Sequence, residues 1–280
     1  VKYIDLHTHS VMSDGSMTPT EVVRHAKKNG LTAIALTDHD SIDGVREAME
    51  EGERIGIEVI PAIEFSVRAK TETHILGYFI DIENRELLDT LEDIRRVRKQ
   101  RTVETCQKLN ELGFDVTVEE ALAMAPAGIV GRAHFAKLLV DKGYTSSVKE
   151  GFELYLNNGK PAYSSKQLLL RVDAVKLIKK AGGLSFVAHL HLCRFNDNDL
   201  IEFLSKLRWN GLDGIEGYYT DYTPELQEKY FGIAKLLSLA ISGGTDFHAD
   251  MKPHIHIGTG LGNMKIPNSV LEDIRVRLNK

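Results

Sequence analysis

Short apolar runs alternate with polar, helix-forming stretches along most of the chain, and several of the runs end on a histidine or a carboxylate. The first run, residues 3–9, is strand-like, so His7 and His9, two positions apart, are expected to project from one face at its end. Asp14 and Gly15 then break the strand and bring a carboxylate into the adjoining loop. Thr18-Pro19-Thr20-Glu21 is a helix start: Thr18 caps, Pro19 suits the first helical position, and Glu21 completes a capping box. This helix carries Val22, Val23 and Ala26 and is expected to stop near Asn29-Gly30. Residues 31–37 have the near-continuous apolar character of a buried parallel strand and end in Asp38-His39-Asp40. A helix over 43–56 and an apolar strand over 57–63, ending at Glu64, repeat the unit. Residues 65–68 and 74–80 are expected to pair as a hairpin across 69–73, which returns His74 to the same end of the sheet.

At about residue 84 the pattern changes. Residues 86–112 read as a long charged amphipathic helix, Thr117-Val118-Glu119-Glu120 opens another with a capping box, and 131–142 makes a third. The expected organisation is a barrel-type unit from 1–83 and 166–280, interrupted by a mainly helical insertion over 84–165 that contributes substrate-side residues. Within the insertion, Gly128-Ile129-Val130-Gly131 lacks the lysine and the serine or threonine of a phosphate-binding loop. Alternation resumes with a helix over 168–181, a strand over 184–188 with His189 at its tip, and a helix over 198–210. A strand over 212–216 and a helix over 224–237 follow; then residues 240–244 lead into Thr245-Asp246-Phe247-His248, and 267–278 close the chain as a helix. Repetition of strand, polar tip and helix is the cue for an α/β barrel or an open α/β sheet.

Composition narrows the function classes. With 280 residues, 42% hydrophobic, 27% charged and a formal net charge of −5, the chain is long enough to bury a sizeable core without disulfides or structural metal. No lysine–arginine block offers an electrostatic footprint for extended duplex nucleic acid. A negatively charged substrate would need metals or a few local arginines to supply positive field. Cys106 and Cys193, far apart and without CxxC spacing, read as reduced thiols. No leader-like segment and no apolar run of membrane-spanning length is present, so a cytoplasmic location away from membranes is the expectation. Nothing in these patterns decides the oligomeric state.

The polar strand tips carry the chemistry. Taken alone, His7 and His9 suit a metal more than a hydrogen-bonded core pair, which is the lesser alternative. Asp38 with His39, Glu64, His189, and Asp246 with His248 recur at the ends of separate strands, and a barrel gathers such ends at one mouth. Mixed imidazole and carboxylate donors suit zinc, manganese or iron, so two or three divalent ions are expected. Without cations so many buried donors would be left unsatisfied. Glu64 is the best bridging candidate, because a carboxylate contacts two metals and a single imidazole nitrogen does not. Such a cluster lowers the pKa of a bound water and neutralises phosphoryl charge, which makes phosphoester hydrolysis the economical reading.

Taken together, Asp5-Leu6-His7-Thr8-His9, Ser13-Asp14-Gly15, Leu36-Thr37-Asp38-His39-Asp40, Glu64 and Gly244-Thr245-Asp246-Phe247-His248 closely resemble the PHP (polymerase and histidinol phosphatase) family. Gly131-Arg132-Ala133-His134, His74-Ile75-Leu76-Gly77-Tyr78 and Ala188-His189 are similar to its branch of stand-alone phosphoesterases, which contains 3′,5′-nucleoside bisphosphate phosphatases and RNase AM-like 5′-to-3′ exonucleases. The family motifs cover 1–83 and 166–262. The resemblance implies an α/β fold, a distorted seven-stranded (β/α) barrel with a helical insertion. It places His7, His9, Glu64 and Asp246 around one metal, Glu64, His74 and His189 around a second, and Asp14, His39 and His248 around a third. Several family members carry histidine where Asp14 stands, and the usual histidine–proline step is His189-Leu190 here.

Three residues are candidate catalytic groups. Asp38 is expected to orient imidazoles and bound water from behind the ligands, with direct ligation as the alternative. Arg132 can clamp phosphate through two oriented donors, and His134 can contact phosphate or protonate the leaving oxygen. His191 and Arg194 are additional substrate-side candidates, whereas His25 is expected at a helix surface or in packing, and one of His254 and His256 to line the pocket. Tyr218, Tyr219 and Tyr222 suit either base stacking or fold packing. The leading functional expectation is a metal-dependent phosphoesterase removing the 3′-phosphate of a 3′,5′-bisphosphonucleotide. The alternative is a 5′-to-3′ exonuclease on short single-stranded RNA or DNA. Histidinol-phosphate hydrolysis and a non-catalytic metal-dependent binding module come after these.

Overall fold

The computed structural model describes residues 2–69, 71–125, 127, 129–164 and 169–279. Its frame begins with β1 (Tyr3–Thr8), α1 (Pro19–Lys28), β2 (Leu31–Leu36), α2 (Val45–Ile55) and β3 (Glu58–Ser66). These three strands are parallel, as buried apolar runs joined by amphipathic helices must be. Thr18 and Glu21 form the capping box that starts α1, and Val22, Val23 and Ala26 bury its apolar face against Ile34, Leu36 and Val59.

β4 (His74–Tyr78) then runs antiparallel to β3, with Ser66 opposite His74 and Ala62 opposite Tyr78. The antiparallel pair therefore uses β3 itself, not a separate strand over 65–68; beyond β3, Arg68 bridges to Leu170 instead. Lys70, inside the expected turn, lies outside the described residues. Reversal matters for the site: in an antiparallel strand the first residue, His74, lies at the end where the parallel strands finish.

Between β4 and the next strand come α3 (Arg85–Glu111), α4 (Val118–Ala123), α5 (Arg132–Asp141) and the short α6 (Val148–Gly151), which continues into a π-helical turn over Phe152–Leu156. Leu109, Phe135, Leu139 and Leu156 share an apolar cluster drawn wholly from this interval. Gly128, the expected boundary at 165 and the expected helix start at Leu168 lie outside the described residues.

The barrel resumes with α7 (Arg171–Lys180), β5 (Leu184–Val187), α8 (Asp197–Trp209), β6 (Gly214–Tyr219), α9 (Pro224–Leu237) and β7 (Ala240–Gly244). The chain ends in β8 (Ile266–Pro267) and α10 (Ser269–Leu278). The sheet order is β7-β6-β5-β4-β3-β2-β1-β8, so seven main strands are joined by a two-residue eighth. Pro267, expected to open the last helix, instead pairs antiparallel with Tyr3, and the Asn268 N–H donates to the Lys2 carbonyl. Main-chain pairing along the edge of β1 overrides the tendency of proline to start a helix. Among the described residues no helix is long and apolar enough to cross a membrane.

Near closure between β1 and β7 occurs at the carboxyl ends. The Asp246 N–H donates to the His7 carbonyl at 2.9 Å, the His9 N–H to the Phe247 carbonyl at 2.9 Å, and Thr8 bridges Phe247 in parallel. Asp5 reinforces the seam by accepting from the Thr245 N–H (2.9 Å), the Thr245 hydroxyl (2.6 Å) and the Gly258 N–H (2.8 Å). The approach requires Gly244, where an added Cβ would lie 2.2 Å from His7 Cβ and 2.3 Å from His7 N. Gly244→Ala is therefore expected to lower unfolding free energy by about 2–3 kcal/mol. A urea titration checks this; an unchanged midpoint would show that the seam yields.

Candidate metal centre

Strand polarity gathers the donors at one mouth. His7 and His9 come from the end of β1, Asp14 from the loop after it, His39 from the loop after β2, and Glu64 from near the end of β3. His74 opens β4, His189 follows β5, and Asp246 and His248 follow β7. The backbone is bent to do this: His189 and Asp246 have φ of 26° and 59°, values non-glycine residues adopt at a cost.

Glu64, fully buried, is the hub. Its Oε2 lies 3.2 Å from His7 Nε2, 3.2 Å from His9 Nε2 and 3.1 Å from His39 Nδ1. Its Oε1 lies 2.9 Å from His74 Nδ1 and 3.0 Å from His189 Nε2. Asp246 Oδ1 completes a first group with His7, His9 and Glu64, at 3.5 Å from His7 Nε2 and 3.2 Å from His9 Nε2. A second group joins Glu64, His74 and His39, with His189 Nε2 3.1 Å from His74 Nδ1. A third joins Asp14, His39 and His248 with His9 added; His248 Nε2 is 3.1 Å from Asp14 Oδ1. His9 and His39 thus each face two groups. A neutral imidazole has one free nitrogen lone pair, so each ring serves one cation at a time.

These side chains fit divalent cations. His7 Nε2, His9 Nε2, His39 Nδ1 and Glu64 Oε2 are all buried, converge, and have no hydrogen-bond partner. Such an arrangement is costly unless a cation satisfies it. Donors held about 2.1 Å from one tetrahedral ion lie about 3.4 Å from one another, close to the spacings in the first group. Nitrogen and oxygen donors without thiolate suit zinc, manganese or iron.

The electrostatics agree. Burial opposes protonation of His9, but the carboxylates of Asp246 and Glu64 hold it up to about 9. His7 is likewise held well above the usual imidazole range, against burial, by Glu64, Glu216 and Asp246. Burial would raise Glu64, yet the charges of His39, His7 and His74 hold it well below the carboxylate range. A surplus of negative charge that draws protons onto imidazoles is equally suited to metal ions.

Several supporting roles were not read from the sequence. Glu216 on β6, fully buried, lies 2.8 Å from His7 Nδ1 through Oε1, while its Oε2 accepts the His189 N–H at 2.6 Å. It orients one donor and pins the backbone of another. Its signal was an acid at the end of a predicted strand, the position the other candidate donors share. Glu216→Gln is expected to weaken metal affinity about 10–100-fold with little loss of fold, checked by metal titration with circular dichroism; unaltered affinity would refute the orienting role. Lys252 Nζ (2.6 Å) and the Tyr219 hydroxyl (2.9 Å) both donate to Asp246 Oδ2, leaving Oδ1 turned to the histidines. Arg98, from α3, is buried against Asp40, with Nε 2.9 Å from Oδ2. One more missed group, Arg101, lines the cavity over the cluster, and its buried Nε has no hydrogen-bond partner. Burial, with Arg98 and Arg132 nearby, lowers it to about 10.

The remaining named residues divide. Asp38 takes three hydrogen bonds, from the Ser10 N–H (2.8 Å), the Ser10 hydroxyl (2.6 Å) and the Ser13 hydroxyl (2.5 Å), and so ties down the loop between His9 and Asp14. Arg132 lines the cavity over the cluster, 3.3 Å from Glu72 and with its guanidinium 5.7 Å from the Phe152 ring centroid. His134 Nδ1 accepts the Gly131 N–H at 2.9 Å, capping α5 and leaving the ring proton on Nε2; burial lowers its pKa. His191 packs against Tyr219 and Tyr222, whereas Arg194, at φ 53°, lines a wider trough beyond. Tyr222 accepts the Leu190 N–H (2.8 Å) and Tyr218 packs on Phe231, so both serve packing. His25 stacks on Phe247, and His254, not His256, lines the trough.

The match to known proteins is extensive. The PHP domain model matches residues 5–255. A 5′-3′ exoribonuclease of Haemophilus influenzae is 33% identical over 88% of this chain and 90% of its own length. A 3′,5′-nucleoside bisphosphate phosphatase of Chromobacterium violaceum is 34% identical over 88% of this chain and 87% of its own. Among solved structures, an amidohydrolase from Chromobacterium violaceum with bound sulfate and no metal superposes with a TM-score of 0.89 at 31% identity, covering 98% of this chain and 96% of that one. A family match over most of the length, with its metal-donor residues converging at one barrel mouth, leads to one conclusion: the chain belongs to the PHP domain family and is a metal-dependent phosphoesterase.

Proposed function

We propose that the protein hydrolyses short single-stranded nucleic acids from their 5′ ends, releasing mononucleotides, and that 3′,5′-bisphosphonucleotides are its smallest substrates. The observation that carries this reading is the shape of the mouth. A cavity of about 210 Å³ over the metal cluster, walled by Asp14, His39, Arg101, Arg132, His189 and Lys252, adjoins a trough of about 1270 Å³. Pockets for a single small molecule span about 300–1,000 Å³, so the trough has room for more than one nucleotide. The exoribonuclease relative is consistent with that use, and the bisphosphate phosphatase relative with the mononucleotide limit.

His7, His9, Asp14, His39, Glu64, His74, His189, Asp246 and His248 would hold the divalent cations, which would supply an acidified water and positive charge toward the phosphoryl oxygens. The chain supplies orientation. Arg132 and Arg101 wall the small cavity and present planar, fixed donors that match two phosphate oxygens. His134, neutral and protonated on Nε2, is a hydrogen-bond donor to substrate oxygen. Asp38, its oxygens already engaged, acts by holding the His9–Asp14 loop. The helical interval 84–165, with its own apolar cluster, forms the substrate-side wall.

A substrate panel tests this. Protein loaded with manganese, iron or zinc is assayed on 5′-phosphorylated oligoribonucleotides, 3′,5′-bisphosphonucleotides and histidinol phosphate. Stepwise mononucleotide release from the oligomer is expected. Phosphate release from bisphosphonucleotides alone would favour the phosphatase reading, turnover of histidinol phosphate alone would overturn both, and metal binding without any turnover would leave a binding module.

A further inference from the structure

The trough beyond the metal cavity carries charge opposite in sign to the chain as a whole. Six cations line it, Arg132, Lys137, Lys149, Lys160, Arg194 and Lys252, against four carboxylates, Glu72, Glu153, Asp221 and Asp250, in a protein of formal net charge −5. Its two ends differ. Close to the metal cluster, Lys252 is committed to Asp246 and Arg132 stands beside Glu72. At the outer end, built by the helical interval, Lys137 is paired with Asp141 of its own helix and Lys149 stands beside Glu153, which leaves Lys160. Lys149 is 3.9 Å from Glu153, an exposed pair worth little. Lys160 makes no ion pair among the described residues.

Aromatic faces interleave with these cations. Phe152, on the π-helical turn, lines both the metal cavity and the trough, and Tyr163 lines the trough; both are half-buried. Spaced cations with aromatic faces suit an unpaired strand, whose phosphates follow the charges while bases stack on the rings. A duplex offers no free base faces to such a surface.

We propose that Lys149, Lys160 and Tyr163 hold the nucleotides beyond the first on the 3′ side of the scissile phosphate, making the helical interval the determinant of preferred substrate length. This rests on the exonuclease reading above. Efficiency then rises with strand length until the outer trough is filled.

The test compares wild type with Lys149→Ala/Lys160→Ala, both positions being exposed and outside the metal centre. For a 5′-phosphorylated hexaribonucleotide, kcat/KM is expected to fall about tenfold, with the salt dependence reduced by about 1.4 for two lost phosphate contacts. For a dinucleotide and for a 3′,5′-bisphosphonucleotide it should be unchanged, and Lys149→Arg/Lys160→Arg should retain hexanucleotide efficiency. Equal losses on all three substrates, or an unaffected hexanucleotide, would overturn the subsite. Wild type that cleaves the bisphosphonucleotide but not the hexanucleotide would remove the exonuclease reading itself, and the subsite with it.

Discussion

Replacing Glu64 by Gln is expected to lower kcat/KM by about a thousandfold or more and to lower metal content in the same samples. The shape of the side chain is retained, so the effect isolates its charge. One Glu64 oxygen approaches three imidazoles and the other approaches two, and among the described residues Glu64 is the carboxylate that the first and second groups share. An amide offers one oxygen acceptor and turns N–H donors toward nitrogens that need a cation. Metal analysis alongside steady-state kinetics gives the check. Full metal content with normal turnover would mean that the hub is not where the chemistry depends on it. Retained metal with lost turnover would instead place Glu64 in orienting the substrate.

The second large effect is on stability. Arg98→Met is expected to reduce unfolding free energy by about 3–5 kcal/mol, the usual cost of leaving one charge of a buried pair uncompensated. Both partners are buried; Asp40 also accepts the Ser66 N–H at 2.9 Å and adopts φ 50° next to His39. Arg98 thus joins the long helix α3 to the loop that carries a candidate ligand. Pairing the change with Asp40→Asn should recover part of the loss, because no orphaned carboxylate then remains. Denaturant titration of the two single variants and the double distinguishes the outcomes. Strictly additive losses would show that the pair is not coupled.

Much of the site was legible in sequence because its donors sit at strand ends. A strand end is marked locally by the stop of an apolar run, so His7, His9, His39, Glu64, His189 and Asp246 could be placed without a fold. His74 was harder, since its position depends on β4 running backwards, and only the hairpin expectation brought it near. Supporting groups were mostly hidden. Arg98 and Arg101 lie in a helix with many similar charges, and nothing local separates the two that turn inward. Glu216 showed itself only as an acid at a predicted strand end, and the role of Asp38 became visible through two serines that precede it by more than twenty residues. The outer cations of the trough are separated in sequence, so no run of charge announced them.

By itself, the sequence determined the alternation of strand and helix, the candidate donors at the strand ends and the family membership, because periodicity, caps and motifs are local properties of the chain. Only the tertiary structure decided which donors share a group, that His9 and His39 each face two, that the main closure is made between β1 and β7 over Gly244, and that an acidic protein presents a cationic trough. Those depend on distances between residues tens or hundreds of positions apart, set by strand register and packing rather than by any neighbouring residue.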